Sequence, residues 1–133
     1  MLPFLLLSLS ATAQSLPIFK IVEEMPQFMD CGNIKVLSRS LCFQEYLCAN
    51  LIYPAFAKKH GVAGEVIVSF VIDTDGKVKD AQIEQNIGAD CGSATLDFVN
   101  QMPNWTAGKQ RGIKVPVQYR LKVDYRTYES TCR

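Results

Sequence analysis

The sequence has almost no net charge, a single histidine and no apolar run long enough to cross a bilayer. Its 14 basic and 13 acidic residues give a formal charge of +1, so nothing in it indicates electrostatic binding of nucleic acid. With His60 as the one histidine, no Cys-His or Ser-His-Asp arrangement has a partner nearby in sequence. There is also no C-x-x-C pair and no zinc-type spacing of Cys and His. We therefore expect no enzyme: no catalytic residue, no metal site, no cofactor and no small-molecule substrate.

The first thirteen residues differ in kind from the rest. They read MLPFLLLSLSATA, an apolar run ending in the small-x-small pattern Ala11-Thr12-Ala13. The run is too short for a bilayer, which needs about 20 apolar residues, but it is typical of a secretory signal cut before Gln14. It lacks the basic residues that usually open a signal. We expect residues 1–13 to be a signal peptide and the protein to be periplasmic, with an inner-membrane anchor as the alternative if the true N-terminus is longer.

The cysteine content is high for a chain of 133 residues. The five cysteines are Cys31, Cys42, Cys48, Cys91 and Cys132. Export would place them in an oxidising compartment, where disulfides form and persist. The odd number leaves at least one thiol unpaired within a monomer, and sequence alone does not give the connectivity. We expect disulfides that staple peripheral segments.

The stretch from Gly64 to Gln85 predicts a β-hairpin on which the later elements pack. One face of its first strand is wholly apolar: Val66, Val68, Phe70 and Ile72. Asp75-Gly76 then supplies residues that tolerate positive φ in a tight turn. The apolar series resumes at Val78, Ala81 and Ile83, and a β-bulge near Lys79-Asp80 would restore its alternation. Asp73-x-Asp75-Gly76 also begins like a calcium loop, but the remaining ligands at that spacing are missing, which favours the turn.

The rest of the chain predicts three helices and a last strand. The helices are Leu41 to Asn50, Pro54 to His60 before a capping Gly61, and Ser93 to Met102 before Pro103. The strand runs from Lys114 to Tyr125 with strict alternation, and Pro116 places its early part at a sheet edge. Near the N-terminus, Pro17 and Pro26 bound a short apolar run that is either an edge strand or an extended arm. The fold class we expect is α+β: a small antiparallel sheet of about three strands with helices packed on one face.

Three further features each allow a functional interpretation and a structural one. Trp105 follows a helix-stopping proline, which favours a core residue over a partner contact. Lys109, Arg111 and Lys114 are more typical of a solvated turn than of an anion site. His60 lies at a predicted helix end, where capping or solvation is favoured over catalysis.

Several motifs resemble one family in order and spacing. They are VEEMPQF from Val22, YP-x-x-A at Tyr53, G-x-V-x-V-x-F-x-I-D-x-x-G from Gly64, and MP-x-W-x-x-G-K-Q-x-G from Met102. Together they resemble the TonB C-terminal domain, in the form common among energy-transducer-like proteins of Bacteroidetes-type bacteria, over nearly all of the chain after residue 13. One departure follows Phe28, where the Pro-Gly-Gly usual in such proteins is replaced by the cysteine-bearing stretch from Met29 to Cys42.

The resemblance implies a domain plan and a binding mode. The plan is a signal peptide at 1–13, a cysteine-bearing N-terminal extension at 14–45 and a TonB-like C-terminal domain at 46–128. In the family, the last strand presents an edge to which a short receptor segment adds as another strand. The partner-binding residues implied here are Lys114, Val115, Pro116, Val117, Gln118, Tyr119 and Arg120.

Two functional hypotheses follow. The first is an exported domain that binds a peptide segment of a TonB-dependent outer-membrane transporter, or of another envelope protein, by edge-strand addition, linked to TonB-dependent transmembrane transport. The alternative is a disulfide-stabilised periplasmic domain that self-associates as a homodimer without energy transduction. The sequence shows no proline-rich spacer of the kind that gives a transducer its reach, at about 3.1 Å per residue. This favours the binding part of the family's function over force transmission.

Overall fold

The computed structural model describes residues 17–28 and 39–132, and of residues 39–41 the backbone alone. The predicted signal peptide and Cys31 lie outside this range. The helices are α1 (Arg39–Asn50), α2 (Ala55–Lys59), α3 (Cys91–Asn100) and α4 (Tyr128–Thr131). The strands are β1 (Gln27–Phe28), β2 (Glu65–Ile72), β3 (Val78–Gln85), β4 (Trp105–Thr106), β5 (Gly108–Gln110), β6 (Ile113–Val115) and β7 (Val117–Asp124). No helix within the described ranges has the length and apolar content needed to span a membrane.

A three-stranded antiparallel sheet in the order β3-β2-β7 forms the centre of the molecule. The predicted hairpin is confirmed, with Gly76 at φ +82 in the turn. The Asp73 carboxylate accepts hydrogen bonds from the N–H groups of Asp75 and Lys77 at 2.8 and 2.9 Å, and these bonds stabilise the turn. The predicted bulge is also confirmed: the register shifts between Ser69 and Val71, opposite Asp80 at φ +53.

The core lies between one face of this sheet and the helices. The apolar face of β2 packs with Leu47 of α1, Ala57 of α2 and Phe98 and Val99 of α3. This confirms the α+β class with helices on one face. Trp105 is 5% exposed and belongs to this core, as the structural interpretation predicted. Its ring lies 5.5 Å from Phe28 and 5.1 Å from Tyr119, centroid to centroid.

The other face of β2 is also buried, although its sequence is mixed. Ile67, Ser69 and Val71 are each less than a tenth exposed. In the register, Ile67 lies between Gln85 and Lys122, and Val71 between Lys79 and Gln118. The aliphatic stems of such long polar side chains cover apolar surface while their ends stay in water.

The last strand differs from the prediction. Instead of one strand from Lys114 to Tyr125, β6 ends at Val115 and β7 begins at Val117. Pro116 lies at the break, because it has no N–H to continue a ladder. Lys114 pairs with Lys109 of β5, so the predicted basic turn is the two-residue turn of a second hairpin. Arg111 at φ +54 and Gly112 at φ +77 form that turn.

One disulfide joins α1 to the C-terminal end of the described chain. Cys48 in α1 is bonded to Cys132 after α4, across 84 positions of sequence. Cys42 is also disulfide-bonded, whereas Cys91 is a free, buried thiol. The expectation of peripheral staples with an unpaired thiol therefore agrees with the described cysteines.

Candidate partner-binding edge

Strand β7 forms one edge of the central sheet. It pairs with β2 along its whole length, from Val117 opposite Ile72 to Asp124 opposite Glu65. The Gln118 N–H points away from β2, since it donates to the Phe19 carbonyl at 2.7 Å. Backbone groups alternate in direction along a strand, so the N–H groups of Arg120 and Lys122 point to the same outer side.

The structure places the seven sequence-predicted site residues on two elements. Lys114 and Val115 lie in β6, where their backbones pair with β5. Pro116 lies between the strands, and Val117, Gln118, Tyr119 and Arg120 open β7. The break at Pro116 means that the first two residues belong to the hairpin next to the sheet edge.

An extended N-terminal segment covers the beginning of this edge. We call residues 17–25 the arm. The Phe19 N–H donates to the Pro116 carbonyl at 3.0 Å, and the Phe19 carbonyl accepts from Gln118, which makes a parallel bridge between Phe19 and Val117. The arm then leaves β7 and bridges Lys109 of β5 at Glu24. Of the two sequence interpretations, edge strand or arm, the structure supports the arm.

Among the described residues, nothing pairs with the edge beyond Gln118. In the part of the chain that the structure describes, no backbone carbonyl accepts the outward N–H groups of Arg120 and Lys122. A cavity of about 540 Å³ lies beside this stretch, lined by Gln118, Tyr119 and Arg120 of β7, by Lys20 and Met25 of the arm, and by Glu84. An unpaired strand edge with space beside it can accept a further strand.

The charges around the open edge are mostly positive. Arg120 is paired with Glu84, with Nη2 and Oε1 2.9 Å apart. Lys20 and Lys122 are in no ion pair with another described residue. Asp124 is paired with Arg126, and the hydrogen bonds from Arg126 lower the pKa of its carboxyl. The two free lysines favour a partner segment with acidic residues.

A second cavity extends this surface towards the aromatic core. It measures about 380 Å³ and shares Met25 and Tyr119 with the first cavity. Its other lining residues include Phe28, Phe43 and Trp105. The indole N–H of Trp105 is buried and has no hydrogen-bond partner among the described residues. A strand on the β7 edge would therefore lie next to a pocket suited to an apolar side chain.

The comparisons with known proteins point to one family. A family model described as the Gram-negative bacterial TonB protein C-terminal matches residues 49–127. Protein TonB of Helicobacter pylori strain ATCC 700392 / 26695 is 32% identical over 75 residues, which cover 54% of this chain and 26% of that protein. Protein TonB of strain J99 / ATCC 700824 gives the same identity and covers 27% of that protein. The chain thus matches about a quarter of the length of these relatives.

Two solved structures are also similar. Both are NMR solution structures of the Helicobacter pylori TonB C-terminal domain. The first, of residues 194–285, has 24% identity and a TM-score of 0.48, and the match covers 65% of this chain and 90% of that one. The second, of residues 179–285, has 22% identity and a TM-score of 0.46, with 68% and 84% covered.

Proposed function

We propose, since this chain belongs to the TonB C-terminal domain family, that it binds a short extended segment of an outer-membrane transporter or another envelope protein. The segment adds to the outer edge of β7 as a fourth strand, as part of TonB-dependent transport in the periplasm. The observation that carries the proposal is the pair of outward N–H groups at Arg120 and Lys122, which have no backbone partner in the described chain. Main-chain hydrogen bonds would supply affinity, and alternate side chains would supply selectivity.

The proposal assigns binding and no chemical step to this chain. His60 illustrates why: it lies at the end of α2 with its ring centroid 4.2 Å from that of Phe56, a packing contact. Cys91, the free thiol among the described cysteines, is also a poor candidate for a catalytic nucleophile. That thiol is buried, and the burial raises its pKa, which keeps it protonated and unreactive.

Two substitutions at one position test the edge. Lys122→Pro removes the outward N–H without removing a sheet bond, and proline is tolerated where an edge N–H faces solvent. Lys122→Ala removes the charge and keeps the N–H. The probe is a tiled peptide library covering the periplasm-facing segments of the outer-membrane transporters of the same bacterium, with binding measured by fluorescence anisotropy.

We expect Lys122→Pro to raise the dissociation constants of the bound peptides by about tenfold or more. One backbone hydrogen bond is lost, and the added strand cannot continue past it. Lys122→Ala should stay within a few-fold of the wild type. Circular dichroism should show both variants folded. Equal binding by Lys122→Pro and the wild type would refute edge addition. Loss of a homodimer in sedimentation, with no peptide bound by any form, would support self-association instead.

A further inference from the structure

The arm occupies the first position that an added strand would take on β7. Phe19 uses both of its backbone groups there, with the Pro116 carbonyl and the Gln118 N–H, at 3.0 and 2.7 Å. These are the groups that a partner strand would need to pair with this end of the edge. A partner that follows β7 from Pro116 to Lys122 therefore has to displace the arm.

The apolar anchor of the arm is small. Val22 is 7% exposed and packs with Val115 and Val117, with Phe19 beside them. Its neighbour Ile21 is 85% exposed, and Ile18 is 55% exposed. One buried aliphatic residue beside a partly buried Phe19 is a modest anchor, and Ile18 and Ile21 remain mostly in water.

An acidic residue then fixes the arm to the β5–β6 hairpin. The Glu23 carboxylate accepts the Arg111 N–H at 2.6 Å, in the turn where Arg111 has positive φ. The Glu23 N–H donates to Oε1 of Gln110 at 3.0 Å. Glu24 exchanges two backbone bonds with Lys109, at 3.0 and 2.8 Å. The hairpin thus provides a site for a carboxylate that follows a buried aliphatic side chain.

We propose that the arm is a displaceable internal occupant of the first part of the partner site and that the partner is an acidic extended segment. The proposal rests on the function proposed above and adds to it. The partner is an extended segment that pairs with β7 in parallel at Pro116 and Gln118. It continues along β7 past the point where the arm turns away to the β5–β6 hairpin, and its acidic residues can face Lys122, which is in no ion pair with another described residue.

The partner can displace the arm because it pairs with more of the β7 edge. The arm turns from β7 to β5 after its contact at Phe19, so it leaves the Arg120 and Lys122 N–H groups unpaired. A longer segment that continues along β7 satisfies them. The free chain is then a closed form, in which weak or short segments are excluded and a long matching segment opens the site.

The test uses the full chain with two substitutions at neighbouring positions. Val22→Asn places a polar group at the buried anchor and should release the arm. Ile21→Asn makes the same change at an exposed position and should not. Phe19→Pro, which removes the N–H that bonds Pro116, is an independent second way to release the arm.

The first probe is a synthetic peptide of the arm's own sequence, SLPIFKIVEEM, residues 15–25. We expect it to bind the Val22→Asn and Phe19→Pro chains at least about tenfold more tightly than the wild type or Ile21→Asn. The same peptide with both glutamates changed to glutamine should bind the released chains more weakly. In the free chains, the Gln118 amide should exchange with solvent faster in Val22→Asn than in Ile21→Asn.

Equal affinity of the arm peptide for all four chains, with equal exchange at Gln118, would overturn the inference. The transporter peptides separate it from the proposed function. Equal affinity of these peptides for the wild-type and Val22→Asn chains would refute the arm's role but would remain consistent with edge addition. If the released chains bind the arm peptide but no transporter peptide, the result supports the arm's role and counts against a transporter partner.

Discussion

The hydroxyl oxygens of Thr95 and Tyr125 lie 2.9 Å apart in the core. The Cys91 carbonyl accepts from the Thr95 hydroxyl at 2.8 Å and also lies within hydrogen-bond distance of the Tyr125 hydroxyl, at 3.3 Å. This pair joins α3 to the residue that follows β7. It thereby fixes the end of the proposed binding strand against the helical layer.

Tyr125→Phe should lower the free energy of unfolding by about 0.5–1.5 kcal/mol, the usual net value of one hydrogen bond. Thr95 keeps its bond to Cys91, so no buried group is left unpaired. Tyr119→Phe is the matched control, because the Tyr119 hydroxyl makes no hydrogen bond within the described chain, and it should change little. Urea unfolding measures both. Equal losses in the two variants would mean that the Tyr125 bond contributes nothing specific.

The same tyrosine predicts a loss of stability at high pH. Burial raises the pKa of Tyr125 to about 12, above the value near 10 expected in the unfolded chain. Its contribution to stability is therefore full below about pH 10 and is lost as the pH rises to about 12. Urea unfolding at several pH values should show this decline, and Tyr125→Phe should reduce its slope. An unchanged slope in the variant would contradict the assignment.

Gly76 and Gly88 offer a matched test of how the hairpin tip contacts β4. Both have φ near +81. A Cβ on Gly76 would lie 1.9 Å from the Trp105 carbonyl oxygen, whereas a Cβ on Gly88 would meet nothing within 4 Å. Gly88→Ala should cost about 1–2 kcal/mol from backbone strain alone. Gly76→Ala should cost clearly more, because Trp105 must also move. Similar melting temperatures for the two variants would show that the tip is not held against Trp105.

The disulfide between Cys48 and Cys132 closes a large loop. The double variant Cys48→Ala/Cys132→Ala should lose about 2–4 kcal/mol of stability, as is typical when such a loop is opened. Reductant should destabilise the wild type further than this, because Cys42 is disulfide-bonded as well. Non-reducing urea unfolding measures the first effect. A double variant that unfolds at the wild-type urea concentration would mean that this bond does not stabilise the fold.

Much of the fold could be predicted because it depends on local patterns. Alternation predicted β2 and β7, Asp75-Gly76 predicted the hairpin turn, and Gly61 at φ +67 ends α2 as predicted. The predicted helix from Ser93 is α3, which begins two residues earlier at Cys91. These features follow from the period of a strand or helix and from the residues that allow positive φ.

The proposed partner-binding edge was less predictable because it depends on contacts distant in sequence. Nothing local to Phe19 indicates that it pairs with Pro116 and Gln118, almost 100 positions later. Pro116 did signal an edge, but not that the strand would break into β6 and β7 there. Of the predicted residues, Lys114 and Val115 went to the hairpin, while Lys122, with its open N–H, was not among them. A strand's outer groups can be identified only once its neighbours are known.

The most direct test of edge addition is amide hydrogen exchange at Arg120 and Lys122, measured with and without a bound transporter peptide. In the free protein both amides should exchange quickly, since their N–H groups face outward and have no backbone partner in the described chain. With peptide bound, both should become protected, while the inward amide of Leu121 stays protected throughout. Protection at other positions, with Arg120 and Lys122 still exchanging quickly, would contradict strand addition on β7.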